Sequence, residues 1–244
     1  MPRYGAGPQM SSVRSYYDRY WSDLEQDFPL PPELEGVLRA NVEPGLEWLD
    51  VGCGAGRTYA QFVAPPAGRY VGVDVSATAV AQAREAGIEA EVVPDASELP
   101  FEDESFDAAI CVEVLEHLFA PHDAVAEIRR VLRPGGRLIA SVPNAIYWRM
   151  RLNSAMGIWN PAGDWMAVDQ PWRDPHIRFF TIASLERMLE RAGFSHVEAG
   201  ASGGCLLDHL TTRPTDFGTS DAYRAMERRF PSLLGMTVHA VAVR

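Results

Sequence analysis

Three glycines at alternate positions, Gly52, Gly54 and Gly56, follow the apolar run Leu46 to Val51 and precede a helix-like stretch, Thr58 to Val63. That order is strand, tight turn, helix. The turn calls for residues without a Cβ, either to reverse the chain or to let a ligand lie against backbone. The helix that follows begins with unpaired N–H groups that can donate to the polar end of a cofactor. Packing alone would also place glycine in such a turn. Asp50, at the carboxyl end of the run, can accept from a cationic or N–H-bearing group. Asp74 comes about 20 residues after the glycines, the separation at which a carboxylate reaches both hydroxyls of a ribose. Asp95 and Glu113 also fall at or just past the ends of apolar runs, so four acids share one kind of address.

A second group of residues could act on an acceptor. Glu113, Glu116 and His117 form Glu-x-x-Glu-His, and on a helix the i, i+3 and i+4 side chains share one face. With His176 they offer two carboxylates and two imidazoles. That set would suit a divalent ion or a general base. The alternative is that Glu113 lines the crevice, Glu116 is solvated and His117 bonds locally. His122, His196, His209 and His239 lie farther from the inferred crevice.

The elements that must position these groups repeat one alternation. Apolar runs Leu46 to Val51, Tyr70 to Val75, Glu91 to Val93, Phe106 to Val112 and Arg137 to Val142 are separated by helical patterns at Thr58 to Val63, Ala77 to Ala86 and Asp123 to Leu132. Ser76 is placed to cap the second of these helices, and Val125, Ile128, Val131 and Leu132 give the third one apolar face, with Pro134-Gly135-Gly136 as its stop. Strands apolar through their length indicate a parallel sheet covered on both faces, and in such sheets ligands bind beyond the carboxyl ends. Ahead of the first strand, Val13, Tyr16, Tyr17, Tyr20, Trp21 and Leu24 predict an amphipathic helix over Ser11 to Gln26, ended by Phe28-Pro29-Leu30-Pro31-Pro32. A second helix spans Glu33 to Asn41. Residues 1–10 read as a disordered amino end.

The 244 residues carry a formal net charge of −11, which argues against long nucleic acids or anionic membranes as partners. No apolar run is long enough for a membrane span. Cys53, Cys111 and Cys205 are odd in number and lack metal-ligand spacing, and no signal peptide is evident, so the expected compartment is the cytoplasm. Residues 11–244 then form a single domain, monomeric or homodimeric, with insertions at about 145–180 and 203–234. The first insertion holds Trp148, Trp159, Trp165 and Trp172, and its four arginines outnumber its three aspartates by one. An aromatic, mildly cationic lid fits an apolar or aromatic small-molecule acceptor. Aromatics packing a small core of the cap would give the same composition. The helix Ser220 to Phe230 lies in the second insertion.

Leu49-Asp50-Val51-Gly52-Cys53-Gly54-Ala55-Gly56, Val71-Gly72-Val73-Asp74-Val75-Ser76, Asp95-Ala96 with Leu99-Pro100-Phe101 and Ser105-Phe106-Asp107, and Val131-Leu132-Arg133-Pro134-Gly135-Gly136 form an ordered set. This set resembles the class I S-adenosylmethionine-dependent methyltransferases, in particular the small-molecule group that includes ubiquinone-biosynthesis methyltransferases. The resemblance covers residues 45 to 144 closely, and the helix around Tyr17 and the tail more loosely. It implies a doubly wound, mostly parallel seven-stranded α/β sheet of the Rossmann-like methyltransferase type. The two closing strands fall near Ser195 to Ala199 and Met236 to Val243, the last antiparallel, with a helix from Ile182 to Ala192 before them. It further implies that Asp50 and Gly52, Gly54 and Gly56 hold the methionine portion of S-adenosylmethionine, Asp74 with Val75 the ribose, and Asp95 with Ala96 the adenine. Glu113 would form the wall beside the methionine, and Tyr17 joins the cofactor set. The expected reaction is methyl transfer to a small molecule, in the first place to oxygen, with nitrogen or carbon as alternatives, and with His117 and His176 as catalytic candidates. Sets similar to Glu113, Glu116, His117 and His176 occur in metal-dependent small-RNA 2′-O-methyltransferases and in some quinone-pathway O-methyltransferases. There the resemblance implies a divalent ion, and RNA as an alternative substrate. A nicotinamide dehydrogenase fits less well, because Arg57 stands where Gly-x-Gly-x-x-Gly needs its last glycine. A binding module that has lost catalysis would show eroded cofactor residues, and these are intact.

Overall fold

Five runs with parallel-strand character meet side by side in the computed structural model, which describes residues 12–23, 32–56, 68–157, 176–203 and 221–244. The strands are β1 (Glu47–Val51), β2 (Arg69–Asp74), β3 (Glu89–Val92), β4 (Phe106–Val112), β5 (Leu132–Pro143), β6 (Ser195–Ser202) and β7 (Thr237–Val243). They form one seven-stranded sheet in the order β3-β2-β1-β4-β5-β7-β6. The first five pair in parallel, and β7 runs antiparallel to both β5 and β6. The strand order reverses between β1 and β4, which opens a crevice beyond their carboxyl ends.

The helices are α1 (Val13–Asp23), α2 (Pro32–Asn41), α3 (Ala77–Glu85), α4 (Pro121–Val131), α5 (Trp148–Ala155), α6 (Ile182–Arg191), α7 (Asp221–Arg229) and α8 (Pro231–Leu234). Alternation along each strand sends side chains to two cores. Leu49, Val71, Ala109 and Leu138 pack with Val125 and Ile128 of α4 and Leu185 and Leu189 of α6. Trp48, Tyr70, Ala108 and Ile139 pack with Leu34 and Leu38 of α2 and Val80 and Ala83 of α3. Both faces are covered, which is why the strands read as continuously apolar. The helix starts follow local chemistry. Ser76 accepts from Ala79 N–H, Thr181 and Ser184 form a reciprocal box at α6, and Pro121 opens α4, where a missing N–H costs nothing.

Several boundaries differ from the sequence reading. Strand β3 begins and ends earlier than Glu91 to Val93, because its register is set by β2, with Val71 opposite Glu89 and Asp74 opposite Val92. Pro134-Gly135-Gly136 does not stop α4, which has already ended at Val131. Those residues instead form an irregularity in β5 between the Phe106–Leu132 and Ala108–Arg137 pairings. The connection after β5 starts with a helix, α5, that the residue pattern did not reveal. The expected amino end 1–10, the helix Thr58 to Val63, most of the proline run, residues 158–175 with Trp159, Trp165 and Trp172, and residues 204–220 all lie outside the described residues. No described helix is long and apolar enough to cross a membrane.

The α4 contact sets the separation between this helix and the sheet. Ile128 is fully buried among the residues of one core. Ile128→Ala should therefore lower unfolding free energy by about 2–5 kcal/mol, read as an earlier urea midpoint with an unchanged slope.

Candidate active site: the glycine turn and a histidine cluster

Strand β1 ends and the chain turns at Gly52, whose φ is +77°, and Gly54, whose φ is +52°. Both conformations disfavour a side chain. A Cβ on Gly52 would collide with Val114 Cγ2, and one on Gly54 with the Trp21 ring. The turn is fastened to β2: Gly52 N–H and Cys53 N–H both donate to Val73 O, at 2.8 and 3.0 Å. At the end of β2, Asp74 Oδ2 accepts from Gly54 N–H at 3.0 Å and its Oδ1 from Ser76 N–H at 2.8 Å. Asp74 is thus oriented through backbone and remains half-buried. Burial pushes its carboxyl up, against the pull of those two N–H groups.

Asp50 stands differently from the expectation of an open ligand group. It is 2% exposed, and Tyr70 donates its hydroxyl proton to Asp50 Oδ2 at 2.5 Å. Burial raises its pKa to about 7, opposed by the Tyr70 bond and assisted by the nearby Asp74 charge. Asp95 is exposed at the head of the β3–β4 loop, its Oδ1 taking both the N–H and the hydroxyl of Ser97. Ala96 and Val75 are half-buried beside these acids.

The stretch after β4 departs from the expected helix. Only Leu115–His117 form a single 3₁₀ turn, and Glu113 precedes it at φ +55°, an uncommon conformation for a residue with a side chain. Glu113 is consequently exposed and accepts from Ser141 Oγ on β5 at 3.0 Å. Glu116 is 1% exposed, so the reading in which it is solvated does not hold. Its Oε1 lies 3.7 Å from His117 Nε2 and 4.0 Å from His176 Nε2. The chain around His176 is hung on this turn, because Ile177 and Arg178 N–H both donate to Glu116 O. The rings of His117 and His176 stand 4.8 Å apart, and Tyr17 of α1 meets His117 edge-on at 6.0 Å. Glu116, His117 and His176 offer ligand atoms all within 4.8 Å of one another, a group that does not include Glu113. Among the other histidines, His122 lies on α4 and His239 faces Ser202 Oγ at 3.2 Å from β7. His196 sits in β6, and His209 falls outside the described residues.

Known proteins share the fold and the segment that carries the glycine turn. The family described as a methyltransferase domain matches residues 49–140, the span from β1 through β5. Residues 49–140 carry a methyltransferase domain. The chain is 33% identical over 148 residues to a ubiquinone biosynthesis O-methyltransferase of Hahella chejuensis, covering 55% of this chain and 62% of that protein. A methyltransferase structure from Archaeoglobus fulgidus matches 94% of this chain and all of its own, with a TM-score of 0.60 at 16% identity. A Haemonchus contortus phosphoethanolamine N-methyltransferase, solved with S-adenosylhomocysteine, matches 98% of this chain and 61% of its own, with a TM-score of 0.63 at 17% identity. The two structures share the fold. The chain spans from 32% to 62% of the length of the first curated relatives it matches.

Within the methyltransferase domain, three contacts escaped the residue pattern because each joins distant segments. Asp18 of α1 accepts from Ser76 Oγ at 2.7 Å and Thr78 N–H at 3.2 Å, so α1 is docked on the start of α3. Trp21 covers Gly54, and Tyr70 holds Asp50. The aromatic face of α1 was legible, but its place over the turn was not.

Burial also sets opposite electrostatics at two positions. The His176 pKa is lowered from 6.5 to about 4 by burial, so below pH 6.5 the unfolded chain takes up a proton that the folded one refuses. That contribution makes stability fall as pH drops from 6.5 toward 4. Asp50, raised from 3.8 to about 7, keeps a proton that the unfolded chain releases, so its contribution falls as pH rises from 3.8 toward 7. Relative to wild type, His176→Gln should gain stability toward low pH and Asp50→Asn toward high pH, a tenfold difference in proton affinity being worth about 1.4 kcal/mol. Denaturant titrations across this pH window check both slopes.

Proposed function

We propose that the methyltransferase domain transfers the methyl group of S-adenosylmethionine to an oxygen of a small, largely apolar molecule held where Tyr17, His117 and His176 meet. The observation that carries this reading is that cluster, brought beside the carboxyl end of β4 by three separate segments. Exposed large hydrophobic side chains lie on the segments around it: Tyr20 on α1, Phe119 after β4, Leu152 and Met156 after β5, and Phe179 close to His176 in the chain. An apolar rim suits an acceptor with apolar surface. The name of the Hahella relative, an O-methyltransferase, points to the same atom type.

In this reading Asp74, with Val75, takes the ribose hydroxyls, Asp95 and Ala96 the adenine, and Gly52, Gly54 and Gly56 the methionine portion. Buried Asp50 acts through the turn, and Glu113 forms part of the adjoining wall. The sulfonium already activates the methyl group, so the protein's task is in-line placement and exclusion of water. A neutral imidazole of His117 or His176 takes the acceptor O–H proton as the oxygen attacks the methyl carbon. The C–S bond breaks and the sulfur leaves as a thioether. The low pKa of His176 keeps it neutral near pH 7.

A second reading is favoured by the compactness of Glu116, His117 and His176, whose donor set fits a divalent ion. Such an ion would lower the pKa of an acceptor hydroxyl, while Glu113 would stay outside its ligands.

Calorimetry should show binding of S-adenosylhomocysteine, weakened in Asp74→Ala by about 2–4 kcal/mol through loss of charge-assisted hydrogen bonds. Binding of a nicotinamide dinucleotide in its place would refute the cofactor assignment. With methyl-labelled cofactor and a metabolite extract, label should appear in a small molecule as an O-methyl group. Label confined to RNA or protein overturns the acceptor class, and cofactor binding without any transfer marks a binding module. Activity lost with chelator and restored by Mg²⁺ or Mn²⁺ selects the metal reading, with His176→Ala raising the metal requirement. Full turnover in chelator selects the imidazole base.

A further inference from the structure

The stretch between Val92 and Phe106 contains neither helix nor strand, yet it carries Asp95 and Ala96. An irregular segment must find partners for its backbone outside itself, and here they come from one face of α4. Glu127 Oε1 accepts from Leu99 N–H at 2.9 Å. Arg130 Nη2 donates to Phe101 O at 2.8 Å and Leu99 O at 3.3 Å, and its Nη1 donates to Asp103 Oδ1 at 2.5 Å. Glu127 holds the guanidinium in place, with Oε2 accepting from Nε and Oε1 from Nη2, each at 2.8 Å. The far end of the loop is tied to the same helix, because Glu104 N–H donates to Arg130 O at 3.1 Å and Ser105 N–H to Val131 O at 2.8 Å. Leu99 is buried, and Phe101 meets Phe106 edge-on at 5.0 Å.

We infer that Glu127 and Arg130 are positioning residues for the purine end of the cofactor site, acting through the loop from Asp95 to Glu104. The inference rests on the proposed meeting of Asp95 and Ala96 with adenine. Clamping Leu99 and Phe101 leaves a short head, in which Ser97 and Glu98 N–H fold back onto Asp95. Adenine differs from hypoxanthine only in hydrogen-bonding edges, so telling them apart needs polar groups fixed to a few tenths of an ångström. Hydrophobic anchoring alone does not fix such directions. A planar guanidinium reaches two carbonyls and two carboxylates at once, which an ammonium of similar length does not reproduce. Glu127 and Arg130 lie on a helix that packs against the face opposite Tyr70 and α3.

The test compares S-adenosylhomocysteine with S-inosylhomocysteine, in which oxygen replaces the 6-amino group, by calorimetry on the full chain. Wild type should prefer the adenine ligand. Arg130→Met should weaken it about tenfold and the inosine ligand much less, so that the preference collapses. Arg130→Lys should restore little of the preference. Glu127→Gln keeps an oxygen for Leu99 N–H but turns an amide NH₂ toward the Arg130 Nε–H, so it should lower the preference, though by less than Arg130→Met. Asp74→Asn should weaken both ligands equally and leave the preference intact. If Arg130→Met and Arg130→Lys lower the denaturation midpoint while the preference persists, the pair serves stability alone and the inference falls. Should Arg130→Met not fold, Arg130→Lys decides by the same ratio. Wild type binding both ligands equally also removes the inference but leaves cofactor binding standing, whereas wild type binding neither refutes the cofactor reading itself.

Discussion

Val73 O receives two N–H groups, from Gly52 and Cys53, and the site depends on that pair of bonds. They fasten the end of β1 to the end of β2 at the point where the chain must leave the sheet. Left-handed glycine conformations follow, because the chain can reach Val73 and still turn over the strand ends only through φ values that side chains resist. Once the turn is fixed, Gly54 N–H is aimed at Asp74, and the acid is oriented before any ligand arrives. Pre-orientation of this kind keeps the ordering cost out of the binding step.

The constraint propagates outward through close approach. Gly52 accommodates Val114, the residue just after Glu113, and Gly54 accommodates Trp21. The same two missing side chains therefore let the post-β4 turn and α1 close over one point. From there Tyr17 meets His117, and Asp18 reaches the cap of α3. The glycine turn and the histidine cluster are thus walls of one structure, and α1 belongs to both.

At two positions in these walls, burial sets the charge state more than pairing does. His176 loses its proton affinity and Asp50 gains it for the same reason: neither is given enough solvent to support a charge. A sheet covered on both faces buries residues one position short of its carboxyl edge, which is where Asp50 stands. Asp74, at the edge itself, keeps access. Asp50 is level with Gly72, so two positions of register separate the enclosed acid from the one that keeps access.

The first five strands and their parallel character, the glycine turn and the acids near strand ends could be read from the residues alone, apart from the bounds of β3, because these follow from local periodicity and from backbone conformations that only particular residues adopt. Ser76 as a cap and the largely buried run Phe106 to Val112 were legible for that reason. Relations between residues far apart in the chain emerged only from the folded arrangement. Glu113, Glu116 and His117 fall within five consecutive residues, yet a left-handed φ at Glu113 divides them, sending one toward Ser141 and the others toward His176. The spacing is compatible with a shared helical face. Pairing with β5 and the hold of Glu116 O on Ile177 and Arg178 select otherwise, since register and long-range hydrogen bonds outweigh the weak local preference for helix.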